Sequence, residues 1–407
     1  MNGEETVSQE AESREVAAPE VGARIGKAIF DGLSSFALTI ILLLFLLALT
    51  FKGTLDQQHM SLYEVQSLYF NSLFFKATMF GVLPVYLPGV NLLLTILAVN
   101  LICGGLIRIR KKRATSGIII VHLGILWMLS AGLVEFHFAQ RGHLTLNEHQ
   151  EGDDFVSYFE WEIVVGELLD GDRVREHLIP GEQFIDLPPD QKATFRSKGL
   201  PFHLVVRRFH PNSVPEQVPG GNGGVDGFFL RPMGSFLEAE NNRAGAYLDV
   251  VDNKTNRRQL AILWGGSPES LPMTFRADGK DWTLCLRHTS HPMPFRIRLN
   301  KFTKLDHPGT RTPSVFSSQV TKFEDGAERD ITISMNEPLR RKGFTLFQTN
   351  WGPQDVPNPR QLYSVFEVVR NPADQWPLWS CLVIALGLVW HFGGKLRRYI
   401  LAQGRTA

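Results

Sequence analysis

The chain has 407 residues, 44% hydrophobic and 20% charged, with a net charge of +1, so it lacks the strongly basic surface of a nucleic-acid binder. Its three cysteines, Cys103, Cys285 and Cys381, are too few for a disulfide framework. The absence of CxxC and CxxCH excludes a thiol–disulfide oxidoreductase and covalently attached haem of the chain's own. The average composition hides two kinds of sequence, because apolar runs cluster near both ends around a long polar middle.

Residues 1–28 are acidic and poorly hydrophobic, without the basic start and early apolar core of a cleavable signal peptide. They read as a disordered cytoplasmic tail. Four later segments meet the length of about 20 apolar residues that a helix needs to cross a bilayer. They are 33–51, 87–107, 117–138 and 376–394, so that residues 29–138 form a membrane region. The last is somewhat short but carries tryptophans suited to the interface. Arg24 and Lys27 precede the first span, RIRKKR joins the second and third, and KLRR follows the fourth. If all four cross, these clusters share one side, and the positive-inside rule makes it cytoplasmic. Both termini, including a tail at 395–407, then lie inside, and residues 139–375 lie outside.

Between the first two spans, Ser61-Leu62-Tyr63-Glu64 is a capping-box pattern. Leu62, Val65, Tyr69 and Leu73 then recur at helical spacing, followed by Phe74, Phe75 and Phe80. Two readings of loop 52–86 follow: an amphipathic helix in the membrane interface, or a docking surface for a partner. The outside region is β-rich. Runs such as FEWEIVVGEL, FHLVVRRF, WTLCLRH and DITISM alternate as strands do, with Gly, Pro, Asn and Asp between them. The expected fold is an antiparallel sandwich or open barrel between the third and fourth spans, divisible near the flexible loop GGNGGVDG, 220–227.

The residue that most needs explaining is His122, in GIIIVHLGILWMLSAGL. It lies six residues into its span, roughly 8–9 Å below the cytoplasmic surface at about 1.5 Å per residue. Hydrocarbon offers its ring nitrogens no water. Gly117, Gly124 and Ala131 form a small-residue stripe for helix packing, and His122 points away from it with Ile118, Leu126, Leu129 and Leu133. Its partner is Asn100, a backbone carbonyl, or a large apolar ligand needing one axial nitrogen, of which haem is the obvious case. Asn100 itself reads as helix–helix glue, and His391 as an interfacial anchor beside Trp390. His203, His210, His288 and His291 match no standard zinc spacing. No nucleophile elbow, paired-carboxylate motif or HExxH marks an enzyme. Nor do the spans show the inverted repeat of a transporter.

Three stretches resemble the ResB family of cytochrome c biogenesis proteins: LYEVQSLYFNS, SGIIIVHLGILWMLSAGLVE, and ITISMNEPLRRKGFTLFQTNWG at 331–352. The four-span layout with one large outside domain is similar too. The resemblance implies a subunit of the system II cytochrome c synthetase, with a ResC/CcsA-type membrane protein as partner. Haem b would be the shared cargo, carried across the membrane and joined to the CxxCH cysteines of an apocytochrome c. A thioredoxin-like thiol reductant would be an indirect partner, and membrane lipid a direct one. By the same resemblance His122 matches a third-span histidine that ligates haem in the inner leaflet, the opposing ligand coming from ResC. No tryptophan-rich WWD haem-handling motif is present, so the chain is expected to be inactive alone. The competing expectation is a scaffold that stabilises the partner and docks apocytochrome without ligating haem. With no plastid transit signal in the acidic start, the expected location is a bacterial inner membrane with the large domain periplasmic.

Overall fold

The computed structural model describes residues 22–79, 83–169, 173–188, 190–218, 224–266, 272–309, 313–353 and 361–403. The chain forms two compact units, Met1–Phe138 with Pro372–Ala407, and Ala139–Asn371.

In the first unit, four helices among the described residues are long and apolar enough to cross a membrane: Phe36–Asp56, Val90–Ile107, Ser116–Phe138 and Trp376–Gln403. They are labelled here with the short helix between the first two: α1 (Phe36–Asp56), α2 (Leu62–Val65), α3 (Val90–Asn100), α4 (Ser116–Phe138) and α5 (Trp376–Gln403). A preceding helix covers 22–33, overlapping the end of the stretch expected to be disordered, while residues 1–21 lie outside the described residues. Ser35 starts α1 as its N-cap, its hydroxyl accepting from the Ala37 N–H at 3.2 Å. Asn100 ties this corner to α3. Its amide donates to the carbonyls of Leu33 (2.6 Å) and Ser35 (3.0 Å), and its Oδ1 accepts from Thr39 Oγ1 (2.7 Å). All its polar atoms are thereby used, as the reading of helix glue requires.

The capping box expected at Ser61 forms. Ser61 Oγ accepts from the Glu64 N–H, and Glu64 Oε2 accepts from the Ser61 N–H, both at 3.1 Å. The helix it starts is short and does not run on to Leu73. After α2 and one π-turn (Gln66–Phe70), the chain enters a hairpin of β1 (Phe74–Met79) and β2 (Leu83–Pro88). The β-branched and aromatic residues here favour strand, and Pro84 and Pro88 cannot sit inside a helix. Val65, Tyr69 and Phe75 join Leu42, Leu49, Val90 and Leu93 in a core, so this loop packs on the spans through its apolar side chains.

The stripe on α4 packs as its spacing requires. Gly117, Gly124 and Ala131 are its buried residues, and Gly117 and Gly124 face α5. A Cβ on Gly117 would lie 2.8 Å from the Gly387 carbonyl, and one on Gly124 would lie 2.6 Å from Ile384 Cγ1. Lipid tails are as apolar as these helices, so close van der Waals approach at small residues replaces a hydrophobic drive.

The second unit is antiparallel β throughout. Its strands are β3 (Gln140–Asn147), β4 (Glu151–Leu168), β5 (Val174–Pro180), β6 (Ala193–Phe195), β7 (Phe202–His210), β8 (Ser213–Gln217), β9 (Phe228–Pro232), β10 (Gly245–Asp252) and β11 (Arg258–Trp264). Then come β12 (Met273–Ala277), β13 (Lys280–Asp306), β14 (Pro313–Glu324), β15 (Ala327–Ser334), β16 (Leu339–Arg341), β17 (Phe344–Gly352) and β18 (Tyr363–Arg370). One sheet runs β15-β14-β13-β4-β3-β18-β17-β16, with β5 added to β4 and β12 to β13. Its far half curls around Leu146, Phe155, Ile297, Leu299, Val320, Ile333, Leu346 and Phe366, without closing into a barrel. The other half packs against a four-stranded sheet, β11-β10-β7-β6, over Ile163, Phe202, Leu248, Trp282 and Leu284. Both expected architectures are therefore present, a sandwich at one end and an open barrel at the other. The division expected near residues 220–227 is not where the cores part. Leu204 and Leu248, on opposite sides of that loop, share one core, while β4 and β13 run through both. Residues 220–223 of the loop lie outside the described residues.

The segment 331–352 supplies the end of β15, then β16 and β17. Arg341 pairs with Phe344 across a two-residue turn, Lys342-Gly343, with φ of 47° and 81°. Both positive values mark the turn class whose twist matches paired strands. Beside this turn Arg341, Lys342 and Lys322 surround Glu324, whose side chain is only 7% exposed, and hold its carboxyl at about 2. The basic residues of LRRKG thus neutralise a carboxylate that the barrel end has enclosed.

The α4–α5 contact gives a direct check. Gly124→Val forces side chains into the α5 backbone and is expected to destabilise the protein by about 1–3 kcal/mol, as overpacked sites do. Gly132→Val, whose Cβ meets nothing within 4 Å, should leave stability unchanged. Thermal denaturation in detergent compares the two.

Candidate functional site

The membrane site is built from two helices. After α3 the span continues as a π-helix, Leu101–Ile107, with the Arg108 N–H donating to the Cys103 carbonyl (2.9 Å). The last carbonyls of a helix have no partner within it. The Gly105 carbonyl is one of these, and His122 Nδ1 on α4 lies 3.0 Å from it. A carbonyl only accepts, so Nδ1 carries the proton and the lone pair resides on Nε2. Among the described residues the ring's hydrogen bond is this one, at Nδ1. Gly105 is required by the same contact, because a Cβ there would lie 2.6 Å from Nδ1 and 3.0 Å from Cγ of the ring.

Of the partners weighed for His122, the structure supplies the backbone carbonyl and not Asn100, whose polar atoms are engaged at the α1 corner. One nitrogen held by a carbonyl with the other presenting its lone pair is the usual arrangement of a metal-ligating histidine. The residues present therefore fit a haem iron as well as they fit a packing role. His391 lies against the start of α4. Its backbone and Cβ pack where Gly117 leaves room, and its Nδ1 is buried without a partner.

The four outside histidines separate clearly. His203 Nδ1 pairs with Asn253 Oδ1 at 2.8 Å on the surface. His291 Nε2 meets Glu160 Oε2 at 2.9 Å, and this bond draws the Glu160 carboxyl below its usual range. His210 stands edge-on to Tyr247, and burial lowers its pKa. His288 is the unusual one. Its ring lies 3.7 Å from the Trp161 ring, its Nδ1 is buried without a partner, and burial pushes its pKa down to about 4. His143, not singled out in the sequence, shares these properties: it stacks on Tyr158 at 5.2 Å, its Nδ1 is buried and unpartnered, and burial lowers its pKa. The available signal was alternation. Leu144 and Leu146 face the barrel core, which turns His143 and Thr145 to the other side of β3.

Residues 280–360, β13 through β17, match the family model described as the ResB-like family. Protein NrfI of Wolinella succinogenes is 22% identical over 174 residues, a match covering 42% of this chain and 19% of NrfI. The resemblance to ResB proteins is thus borne out.

His288 generates a pH prediction. The unfolded chain takes up its proton near the model-peptide value of about 6.5, whereas the folded chain resists it down to about 4. Its contribution to stability is therefore present above pH 6.5 and lost as pH falls from there toward 4. Melting temperature should drop through that window, and His288→Gln should flatten the drop. An equal drop in the variant would assign the effect to other groups.

Proposed function

We propose that this chain is the haem-handling subunit of a system II cytochrome c synthetase. In this reading it helps move haem b across a bacterial inner membrane, in concert with a ResC/CcsA-type partner. The haem is then presented with apocytochrome c for thioether attachment at CxxCH. Both termini are cytoplasmic, in accord with the basic clusters at Arg24 and Lys27, at 108–113 and at 395–398. The β-rich domain is periplasmic, where it receives apocytochrome.

The observation that carries this reading is the His122–Gly105 pair. An imidazole with Nδ1 donated to a fixed carbonyl cannot rotate away, and its Nε2 lone pair is held ready for an iron. Acceptors of this kind fix the ring orientation of ligating histidines. The chain supplies one axial nitrogen, and the partner supplies the other. A scaffold reading draws on the same bond, because a histidine satisfied at Nδ1 already ties α3's extension to α4.

The two readings diverge on substitution. His122→Ala in the co-purified pair should abolish most of the Soret absorbance, and added imidazole should restore part of it. An unchanged Soret band would return His122 to helix packing. Gly105→Val tests the geometry separately. It should displace the ring and lower haem content by about tenfold or more, in line with second-shell changes costing roughly 10–100-fold. Binding equal to wild type would show that the carbonyl contact does not orient the ligand.

A further inference from the structure

Between the first two spans, one face of the β1–β2 hairpin is left uncovered by the described residues. Phe75, Ala77 and Leu87 turn inward onto the core that holds Tyr69, Val90 and Leu93, and Phe75 meets the Tyr69 ring edge-on at 4.9 Å. Alternation turns the even-numbered residues the other way. On that side Phe74 stands opposite Pro88, Lys76 opposite Tyr86 and Thr78 opposite Pro84. Phe74 is 60% exposed and Tyr86 71%. A sheet face that looks into water is polar, whereas this one presents two bare aromatic rings.

The hairpin is tied to the spans at both ends. Tyr69, just ahead of β1, donates its hydroxyl to Asp56 Oδ2 at the last residue of α1 (2.5 Å). Gly89, the N-cap of α3, donates its N–H to the Leu73 carbonyl (2.8 Å), and a Cβ on it would collide with the Ser72 carbonyl. Asp56 and Gly89 lie on one membrane side, opposite the basic runs at 108–113 and 395–398. Strands of six residues, at about 3.3 Å each, stay within roughly 20 Å of that surface.

Backbone and side-chain chemistry set the depth. The Gly89–Leu73 bond continues the ladder, so by alternation Pro84, Tyr86 and Pro88 turn their nitrogens to the free edge of β2. Prolines carry no N–H, and Tyr86 is the one donor of the three. An edge stripped of donors does not recruit a further strand. Its carbonyls still need water, which keeps the hairpin out of the hydrocarbon. Lys76 and Tyr86, side by side, have apolar stems and polar tips, the residue types that settle at headgroup level. A dry protein interface would have to bury the Lys76 ammonium. We propose that this face rests on phospholipid at the headgroup–acyl boundary, with Phe74 and the Tyr86 ring among the first acyl carbons and Lys76 at the phosphates. The contact fixes the depth of the first two spans and is independent of the haem-handling reading.

The test uses full-length protein in vesicles of phosphatidylcholine and phosphatidylglycerol. Phe74→Trp and Tyr86→Trp each add one tryptophan, whose emission is read as the difference from the unsubstituted protein. Both positions are exposed, and two sites read the same face, so misfolding of one variant, seen in its melting curve, leaves the other. The added emission should be blue-shifted and spared by aqueous iodide. Lipid brominated near the headgroup should quench it more strongly than lipid brominated near the bilayer centre. Lys76→Glu in the Tyr86→Trp background should shift that emission to the red and weaken the lipid quenching. Quenching by iodide and by no brominated lipid would overturn the proposal, as would strongest quenching from the bilayer centre. Shielding from iodide and lipid alike, gained only when another membrane protein is co-purified, would also overturn it and make the face a protein interface.

Discussion

A ring nitrogen in hydrocarbon must be bonded or exposed to a ligand, and the rest of the membrane unit follows from how His122 meets that demand. The answer is a carbonyl at the end of the second span. Helix termini leave carbonyls unused, so the chain needs no extra polar side chain in the bilayer to satisfy Nδ1. Gly105 then has to be glycine, because its carbonyl and the ring approach closer than any Cβ allows. On the opposite face of α4, Gly117 and Gly124 bring α5 into contact and hold the helix that carries the histidine. Small residues thus perform two tasks on the two sides of α4: close packing against α5 on one and unobstructed access to a carbonyl of the second span on the other.

The outer unit is organised by two long strands. β4 and β13 pass from the sandwich core into the barrel core, and their mutual register breaks where the cores part. A regular ladder could not present side chains there, because each inward residue would be consumed by one core or the other. The break frees Tyr158 and the edges of His143 and His288, and it makes a cleft out of what would be continuous sheet. The same unit tolerates a carboxylate at Glu324 only because Lys322, Arg341 and Lys342 surround it. Polar groups elsewhere in the barrel are likewise paired: Ser318 and Ser364 both donate to Gln348 Oε1, and Gln348 donates to the Asn350 carbonyl at 2.9 Å.

Much of this was legible in the residues. Spans read from hydropathy, the capping box at Ser61, the Gly117-Gly124-Ala131 face and the β-rich middle are all local patterns with a fixed period, and each is realised. What escaped reading is mostly long-range. Near Phe74 the strand-favouring residues and the two prolines were present, but the helical spacing of Leu62, Val65, Tyr69 and Leu73 ran straight up to them and masked the change to a hairpin. The contact of His391 with Gly117 could not be read because the two lie more than 250 residues apart in sequence. His143 escaped notice because an isolated histidine in a strand carries no signal until the bulge in β4 brings it beside His288. His122 was legible as a residue needing a partner, but the partner's identity was not, since every backbone carbonyl is alike in sequence.

Near-infrared magnetic circular dichroism of the ferric complex with its partner tests the central claim most directly, because this region identifies the pair of axial ligands on haem iron. The account predicts that the wild-type spectrum shows nitrogen ligation from this chain and that His122→Met adds a methionine–iron charge-transfer band. A His122→Met spectrum identical to wild type, with no methionine–iron band, would contradict it.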